Sequence, residues 1–409
     1  MARRTWGEGS VFYDTVNACW VWRGTYVGVG GEKKRKSFTA HRQIDLKAKV
    51  DAFKLKLAEG GIIESSVTVE EWVNRWLEVF VKPTCKQKTY ENYRVRLGYI
   101  CEVIGKKNLV QVTSIELQEI FNELRFTGGK TKKGISAESV NCARRYFKAC
   151  CNVAVKNRLI QINPVEGTRP QKKSKKEIVV MDEEDLIRFL NVAEKGDYIY
   201  WGADNPKFVK RTDYYIRQFY VLVSLSLATG MRISEVRGLK WKNINFSRKF
   251  INVTEQLVDT AEKGDVFDEP KSEKSKRKIF LDETTWEKIK AFKKYQMEYA
   301  NFLGDLYRNK FGLVFTNIFG NPINLTNFRK RYFNKMLEAA RIKKGFTIHS
   351  MRHTHATLLL KKGVNIKVVS ERLGHSSATV TMNIYAHVLE SMEQTAPSVW
   401  ALILKDTQE

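Results

Sequence analysis

The sequence predicts a mixed α/β protein that is mostly α-helical and has three domains. Short strand patterns occupy the first forty residues, helical stripes of apolar residues follow from residue 67, and helices alternate with a few strands after residue 177. A chain of 409 residues is also too long for one ordinary core. We therefore expect a small N-terminal β-sheet domain (1–60), a four-helix domain (67–165) and an α+β domain with a C-terminal tail (177–409).

The N-terminal domain is predicted from three runs, 9–13, 19–27 and 34–38, in which aromatic or β-branched residues alternate with polar ones. A helix from about Gln43 to Leu57 would cover one face of this sheet. The basic run 33–36 either contacts a nucleic-acid phosphate or forms a solvated hairpin tip. The sequence does not decide between these two interpretations.

Four apolar stripes with helical spacing predict the second domain. The first stripe begins after Thr68, a suitable N-cap, and ends at Pro83. The second ends at Gly105, the third opens at Thr113, and the fourth runs from about Ala137 to Arg158. This spacing indicates a compact four-helix domain.

The charge balance predicts a polyanionic partner. The chain has 71 Lys and Arg against 45 Asp and Glu, a net charge of +26 that is spread along its length. Each phosphate that such a protein neutralises releases a condensed counterion, which favours nucleic-acid binding. The basic segment 168–176 reads as the boundary between the second and third domains. No apolar run is long enough to span a bilayer, so we expect no membrane partner.

The cysteines and the N-terminus predict a cytoplasmic protein. The chain has six cysteines, and none has zinc-type spacing with a matching second pair. Cys150 and Cys151 lie in a helical pattern, where packing is expected rather than a disulfide. The first residues lack the apolar core of a signal peptide. A reducing compartment fits these observations.

Two positively charged residues in the third domain stand out by their place in the pattern. Arg232 follows Thr229-Gly230, where glycine can close a helix, so this arginine lies in a turn between two apolar elements. It either holds an anion or forms an internal ion pair with Glu235, and the sequence favours neither. Lys271 lies between two predicted strands, 250–253 and 278–281, where it could swing into a cleft or remain solvated.

The histidines are concentrated near the C-terminus. Five of the six lie between residues 349 and 387, the same segment that contains Arg352 and Tyr385. His349 and Arg352 are three residues apart on a predicted helix and therefore face the same way. His353 and His355 suggest zinc, but no glutamate lies between histidines as in metalloproteases and no carboxylate cluster follows. We expect neither a metal nor a cofactor.

Five short motifs follow one another in this domain: Thr229-Gly230-Met231-Arg232, Pro270-Lys271-Ser272, His349-Ser350-Met351-Arg352-His353-Thr354, Leu373-Gly374-His375 and Tyr385-Ala386-His387. In their order and separations they resemble the motifs of the tyrosine recombinase (phage-type integrase) family. The resemblance covers about residues 177–390, and the four-helix segment resembles the core-site-binding domain of the family. The N-terminal sheet resembles the arm-site-binding domain of integrases.

The resemblance implies a role for six residues. Tyr385 would be the nucleophile that forms a 3′-phosphotyrosyl bond, and Arg232 and Arg352 would hold the scissile phosphate. Lys271 would protonate the 5′-hydroxyl leaving group. The remaining two are histidines: His349 would assist proton transfer at the nucleophile, and His375 would hydrogen-bond the phosphate.

Elementary energetics agrees with these roles. A free tyrosine has a pKa near 10, so ionising it at neutral pH costs roughly 4 kcal/mol, which transition-state stabilisation must offset. The pentavalent transition state gains negative charge on its equatorial oxygens, and two planar guanidinium groups are suited to bind it. With two arginines in place, this chemistry needs no metal.

The resemblance also implies partners and leaves alternatives. It implies double-stranded DNA at core and arm sites, a homotetramer on DNA whose C-terminal tail docks on a neighbour, and accessory roles for an excisionase and a host DNA-bending protein. The tail could instead pack on its own domain.

A site-specific recombinase of a phage or integrative element is expected, in the cytoplasm and at the bacterial nucleoid when bound to DNA. The alternatives are a type IB-like topoisomerase and a catalytically silent DNA-binding protein. Two stretches, 196–213 and 293–310, exceed the minimal catalytic domain and receive no role.

Overall fold

A computed structural model describes residues 9–27, 33–58, 66–129, 133–173, 178–198, 206–269 and 275–393, together with Pro397 and Trp400. The chain divides into two compact units, Met1–Lys175 and Lys176–Glu409. Buried apolar residues form separate clusters within the first unit, one in the sheet region and one in the helical region.

The first unit begins with a three-stranded antiparallel sheet and one helix. Strands β1 (Ser10–Asp14), β2 (Cys19–Val27) and β3 (Lys33–Ala40) pair in sequence order, and helix α1 spans Gln43–Ala58. Trp22 and Phe38 lie on the face that packs against Phe53 of α1. Because side chains alternate along a strand, the opposite face carries the polar and basic residues. The exposed residues of that face include Arg23, Thr25, Lys33, Arg35 and Ser37.

The helical region of the first unit contains four α-helices around one core. Thr68 caps the first through a complete capping box with Glu71, as its position before the apolar stripe predicted. The core includes Trp72 of this first helix and Phe147 of the last, both buried. The helices are α2 (Val69–Trp76, continued by a π-helical turn over Leu77–Val81), α3 (Gln87–Ile104), α4 (Ser114–Glu123) and α5 (Ala137–Lys156).

The second unit combines a helical core with two small sheets. Its first helices are α6 (Glu183–Lys195), α7 (Pro206–Thr229) and the short α8 (Ile233–Arg237). Strands β4 (Ile244–Asn245), β5 (Phe250–Val253) and β8 (Arg277–Phe280) form one antiparallel sheet, and β6 (Gln256–Thr260) with β7 (Gly264–Asp268) forms a hairpin. Residues 270–274, between β7 and β8, lie outside the described residues.

The later helices of this unit carry most of the predicted site. They are α9 (Glu283–Leu303), α10 (Leu325–Asn327), α11 (Asn334–Ala339), α12 (Ser350–Lys361), α13 (Ile366–Leu373) and α14 (Ala378–Glu393). The mostly helical, mixed α/β fold class is confirmed. Within the described part of the chain, no helix combines the length and the apolar character needed to cross a membrane.

The sequence assigned no role to the stretches 196–213 and 293–310. Tyrosines connect the described parts of these two stretches to each other or to residues next to them. The Tyr295 hydroxyl of α9 donates a 2.7 Å hydrogen bond to Asp213 on α7. Tyr299, one turn further along α9, stacks on the fully buried Tyr214 with ring centroids 4.2 Å apart. The hydroxyl of Tyr214 in turn lies 2.7 Å from Thr316 Oγ1. These contacts fix the long α9 against α7, which itself ends at the turn that carries Arg232.

Candidate active site

The turn after α7 positions the first arginine. Gly230 has a φ of 63°, and a Cβ at this position would lie 2.6 Å from Cδ2 of His355, so only glycine fits without strain. Arg232 then takes the N-cap position of α8, where its backbone N–H donates to Glu235 Oε2 at 2.9 Å. The conformation of this arginine is therefore set by the helix start itself.

Glu235 bridges two arginines. Its Oε1 accepts a 2.8 Å bond from Nη1 of Arg232, and its Oε2 accepts a 2.8 Å bond from Nη2 of Arg277. The carboxylate is 2% exposed, and burial alone would raise its pKa. The hydrogen bond and charge of Arg277, with the charge of Arg232, outweigh burial and lower the pKa of Glu235, which stays ionised.

The ion pair considered from the sequence is thus present, but it uses only part of the Arg232 guanidinium. Nη2 of Arg232 also donates to the Gly374 carbonyl at 3.3 Å. The side chain remains 34% exposed. A guanidinium has five N–H donors in a fixed fork, so Arg232 can bind Glu235 and still offer donors toward solvent.

Arg352 is the more deeply placed of the two arginines. It is 4% exposed, and its Nη1 donates to the Gly230 carbonyl at 2.8 Å. Its Nη2 is buried and makes no hydrogen bond within the part of the chain that the structure describes. Burial, followed by the charge of Arg232, lowers the pKa of Arg352 to about 9. A buried cation beside a second cation, with a donor that no described residue satisfies, is suited to bind an anion.

His375 and His349 lie close to these arginines. His375 follows the left-handed cap Gly374, and its Nδ1 lies 2.7 Å from Oγ1 of Thr381. Burial, then the charges of Arg352 and Arg232, lowers the pKa of His375 to about 4. His349 is the N-cap residue of α12 and is exposed, yet partial enclosure by protein and the same two charges also lower its pKa. Both rings are therefore neutral at pH 7.

Tyr385 lies at a kink in α14, with φ −112° and ψ 20° in an otherwise helical run. Its side chain is 1% exposed and packs with Leu360 and Leu373. The hydroxyl lies 2.9 Å from Nδ1 of His353, which follows Arg352 on α12. Burial raises the pKa of Tyr385 to about 12, although the positive charge of Arg352 lowers it in part. Arg352 is thus within electrostatic range of the hydroxyl.

His355 has a structural position. Its Nδ1 lies 2.7 Å from the Leu227 carbonyl and must donate to it, and its Nε2 accepts a 3.2 Å bond from Nε of Arg372. Both ring nitrogens are therefore used in the neutral form. Burial, then the charge of Arg372, lowers the pKa of His355 to about 3. This histidine ties α12 to the end of α7.

The structure brings Arg232, His349, Arg352, His375 and Tyr385 into one region of the second unit, linked through the contacts and charges above. The sixth predicted residue, Lys271, lies outside the described residues. Among the described residues, no group of three or more His, Cys, Asp or Glu side chains could hold a metal ion.

Sequence reasoning missed two participants. Arg277 was not singled out, because nothing in a single sequence pairs it with Glu235, which lies forty-two residues earlier. His353 was considered only as a metal ligand, whereas its ring contacts the Tyr385 hydroxyl. His349 lies one turn before it, with the two ring centroids 4.8 Å apart in an edge-to-face arrangement.

Comparison with known families identifies the fold and the enzyme class. The model of the phage integrase family matches residues 180–392, which is more than half of the chain. The chain belongs to the phage integrase family. A second model, the N-terminal SAM-like domain of phage integrases, matches residues 68–125. The chain is a tyrosine-type site-specific DNA recombinase, as its motifs predicted.

Relatives of this phage integrase family member come from bacteria and phages. A XerC-like tyrosine recombinase of Caldanaerobacter subterraneus is 28% identical over 386 residues, which cover 90% of this chain and 91% of the relative. The integrase of Staphylococcus phage L54a is 27% identical, with 80% of this chain and 91% of the relative covered. The Enterococcus faecalis transposase from transposon Tn916 is 24% identical, with 74% and 71% covered.

Solved structures of integrases share the fold of this family member. The Tn1549 transposon integrase in complex with a circular intermediate DNA matches with a TM-score of 0.62 at 23% identity, covering 81% of this chain and all of the neighbour. A lambda integrase dimer bound to a COC′ core site matches with a TM-score of 0.52 at 17% identity, covering 94% and 96%.

Proposed function

We propose that this recombinase integrates and excises the DNA of a phage or an integrative element, and that Tyr385 attacks the DNA phosphate in each strand cleavage. The observation that carries the proposal is the buried Nη2 of Arg352, a donor without a partner among the described residues, on a cation that lowers the pKa of the Tyr385 hydroxyl in part. Such a donor is suited to hold the scissile phosphate next to the nucleophile.

The other predicted residues take complementary roles in this proposal. Arg232 offers its exposed edge to the second equatorial oxygen of the phosphate, while Glu235 holds its other edge. His375, oriented through Thr381, donates from Nε2 to the phosphate. Lys271 protonates the 5′-oxygen as it leaves, and His349 assists proton transfer at the nucleophile. The phosphotyrosyl bond conserves the phosphodiester energy, so rejoining the strands needs no nucleotide triphosphate.

The first unit supplies DNA-binding surfaces in this proposal. We assign residues 1–60 to arm-type sites, 67–165 to core sites, and 177–409 to catalysis. The exposed sheet face with Arg23, Lys33 and Arg35 supports the first assignment, because cross-strand pairs such as Thr25–Arg35 place these cations on one side of β2 and β3. A two-stranded β-ribbon fits the major groove of DNA, and cations beside it neutralise phosphates.

The same proposal includes the oligomeric state, the accessory proteins and the cellular location of the enzyme. Four copies act together on two DNA sites, with the C-terminal tail of each copy docked on a neighbour. An excisionase and a host DNA-bending protein assist when direction or DNA shape must be controlled. We place the enzyme in the cytoplasm and at the nucleoid, where its substrate lies. A relative, the lambda integrase, has been solved as a tetramer bound to a Holliday junction.

Covalent trapping tests the proposal. Wild-type protein is incubated with DNA that contains its attachment site and quenched in SDS, with and without EDTA. We expect a protein–DNA adduct in both cases, and we expect Tyr385→Phe to form none because the attacking oxygen is absent while the ring that fills the core is kept. Binding of Tyr385→Phe to the same DNA in a gel-shift assay is the control for folding.

The products distinguish the remaining alternatives. Recombinant DNA from two attachment sites supports the recombinase proposal, whereas relaxation of supercoiled DNA without recombinant product would support the topoisomerase alternative. A wild-type protein that binds its site and forms no adduct would support the catalytically silent alternative.

A further inference from the structure

The hydroxyl of Tyr385 has one hydrogen-bond partner among the residues that the structure describes, Nδ1 of His353 at 2.9 Å. The tyrosine is 1% exposed, so the described residues shield its hydroxyl from bulk water. A buried hydroxyl that fails to donate loses a hydrogen bond, so the O–H group donates and Nδ1 accepts. This arrangement places the ring proton of the neutral His353 on Nε2.

We propose that His353 is the proton acceptor for Tyr385 during DNA cleavage. The inference rests on the proposed role of Tyr385 as the nucleophile. As the Tyr385 Oη–phosphorus bond forms, the O–H bond breaks and its proton moves to Nδ1, which gives an imidazolium. The phosphorus–O5′ bond breaks with its electron pair, and O5′ takes a proton from the acid assigned to Lys271. In rejoining, each proton returns along the same path.

Position distinguishes His353 from His349, the N-cap residue of α12, and from His355 within α12. His355 uses both ring nitrogens to tie α12 to the Leu227 carbonyl and to Arg372, so it has no acceptor to offer. His349 makes no described hydrogen bond to Tyr385 and instead packs edge to face against His353, with centroids 4.8 Å apart. Its ring therefore restricts the orientation of His353, which makes it a positioning residue in this step.

The surroundings keep His353 able to accept a proton at neutral pH. The groups that face its ring are His349 and Arg352 from α12, Tyr385 from α14, and His375 after α13. Burial, then the two neighbours on its own helix, lowers the pKa of His353 to about 4. A phosphate bound at Arg352 would add negative charge beside the ring and so favour the imidazolium formed during the reaction.

Two variants separate proton transfer from simple hydrogen bonding. His353→Asn keeps an acceptor oxygen near the position of Nδ1 but cannot take up the proton, and His353→Ala removes both properties. We measure single-turnover adduct formation on the attachment-site duplex with the full-length protein. General-base catalysis contributes about 10²- to 10⁴-fold, so we expect both variants to be slower by about 10² or more. Added imidazole should restore part of the rate of His353→Ala.

The dependence of the cleavage rate on pH distinguishes proton transfer from a purely structural role of His353, because loss of a structural role would not change this dependence. We expect the wild-type rate to be flat from pH 6 to 9, because a base with a pKa of about 4 is already unprotonated there. In His353→Asn the tyrosine must ionise without a base, and its pKa is raised to about 12. The logarithm of the rate of this variant should therefore rise by about one per pH unit over the same range.

A modified substrate locates the proton that is affected. With sulfur in place of the bridging 5′-oxygen, the leaving group needs no acid, so Lys271→Ala should recover most of its rate while His353→Asn should not. A rate for His353→Asn equal to that of wild type, or recovery of this variant on the sulfur substrate, would overturn the inference. Failure of the proposed function looks different, since wild type would then form no adduct or Tyr385→Phe would still form one.

Discussion

The two halves of the candidate active site are held in place to very different degrees. The arginine corner, which we define as Arg232, Glu235, Arg277 and Arg352, is tied together by ion pairs and by bonds to backbone carbonyls. Glu235 accepts from two of these arginines, Arg277 also donates to the Arg372 carbonyl at 2.6 Å, and Arg352 donates to Gly230. Arg232 and Arg277 thus share Glu235, and Arg277 and Arg352 are each also held by a backbone carbonyl.

The tyrosine corner, Tyr385 and His353, is joined by one hydrogen bond among the residues that the structure describes. One 2.9 Å hydrogen bond joins the two side chains, and α14 is kinked at the tyrosine itself. The comparison teaches that the anion-binding half is preorganised, whereas the position of the nucleophile depends on one bond and on apolar packing. Substitutions in the first half should therefore affect stability and catalysis together, and those in the second half chiefly catalysis.

The largest effect is expected at Arg352, because its buried Nη2 has no partner in the part of the chain that the structure describes and, in the proposal, binds the phosphate. Arg352→Lys keeps the positive charge but loses the planar fork that reaches both the Gly230 carbonyl and an anion. We expect adduct formation to slow by about 10³, the scale of removing an arginine from a phosphoryl-transfer site. Single-turnover cleavage of the attachment-site duplex measures this change.

DNA affinity provides the control for Arg352→Lys. The charge is unchanged, so the affinity and its dependence on salt should stay close to wild type. Loss of DNA binding by a variant whose circular dichroism and melting temperature match wild type would contradict a role confined to the reacting phosphate. Equal cleavage rates for the two proteins would show that the fork is not required.

The second largest effect is expected for Glu235, whose substitution tests whether the arginine corner is preorganised. Glu235→Gln removes the only buried carboxylate between Arg232 and Arg277 that the structure describes, and Arg277 is 6% exposed. Breaking a buried ion pair typically costs about 3 kcal/mol or more. We expect a loss of about 3 kcal/mol in the free energy of unfolding, measured with urea at pH 7.

The lowered pKa of Glu235 also predicts how the stability difference between wild type and Glu235→Gln changes with pH. The pKa of Glu235 is lowered from its ordinary 4.5, so the folded state prefers the ionised form. Its contribution is present above pH 4.5 and is lost as the pH falls below that value. The stability difference between wild type and Glu235→Gln should therefore shrink on acidification below pH 4.5. A difference that grows instead would mean that the carboxylate is strained rather than stabilised in the fold.

The sequence pointed to candidate site residues more fully than to the contacts between them. Arg232 and His375 each lie close after a glycine that closes a helix, and Arg352 lies in the first turn of α12, whereas Tyr385 was found only because its motif resembles that of tyrosine recombinases. The helices of the first unit follow from apolar periodicity and capping residues such as Thr68. These properties are local, so one sequence is enough to detect them.

Contacts between distant segments could not be predicted in this way. Which histidine of α12 meets the Tyr385 hydroxyl depends on the kink in α14, and no residue type marks that kink. The hairpin of β6 and β7 was not predicted, because its strands include Asp259, Asp265 and Asp268, and aspartate is depleted in strands. The pairing of Tyr295 with Asp213 likewise depends on the packing of α9 against α7.

The smallest expected effect on stability concerns two histidines of α12, one from each half of the site. His355 supports the turn of the arginine corner, whereas His353 belongs to the tyrosine corner. His355→Ala leaves the buried Leu227 carbonyl and Nε of Arg372 without their partner, which should cost about 2 kcal/mol in the free energy of unfolding. His353→Asn keeps an acceptor for Tyr385 and should cost less than about 1 kcal/mol.

Acid should narrow the difference between wild type and His355→Ala. Histidine has an ordinary pKa of 6.5, and that of His355 is lowered to about 3, so the folded state prefers the neutral ring. Its stabilising contribution is complete above pH 6.5 and declines as the pH falls toward 3. Urea unfolding at pH 7.5, 5.5 and 4.5 measures the trend. If His353→Asn proved the more destabilising of the two at pH 7.5, the nucleophile would be as firmly held as the arginines, and the contrast between the two corners would be lost.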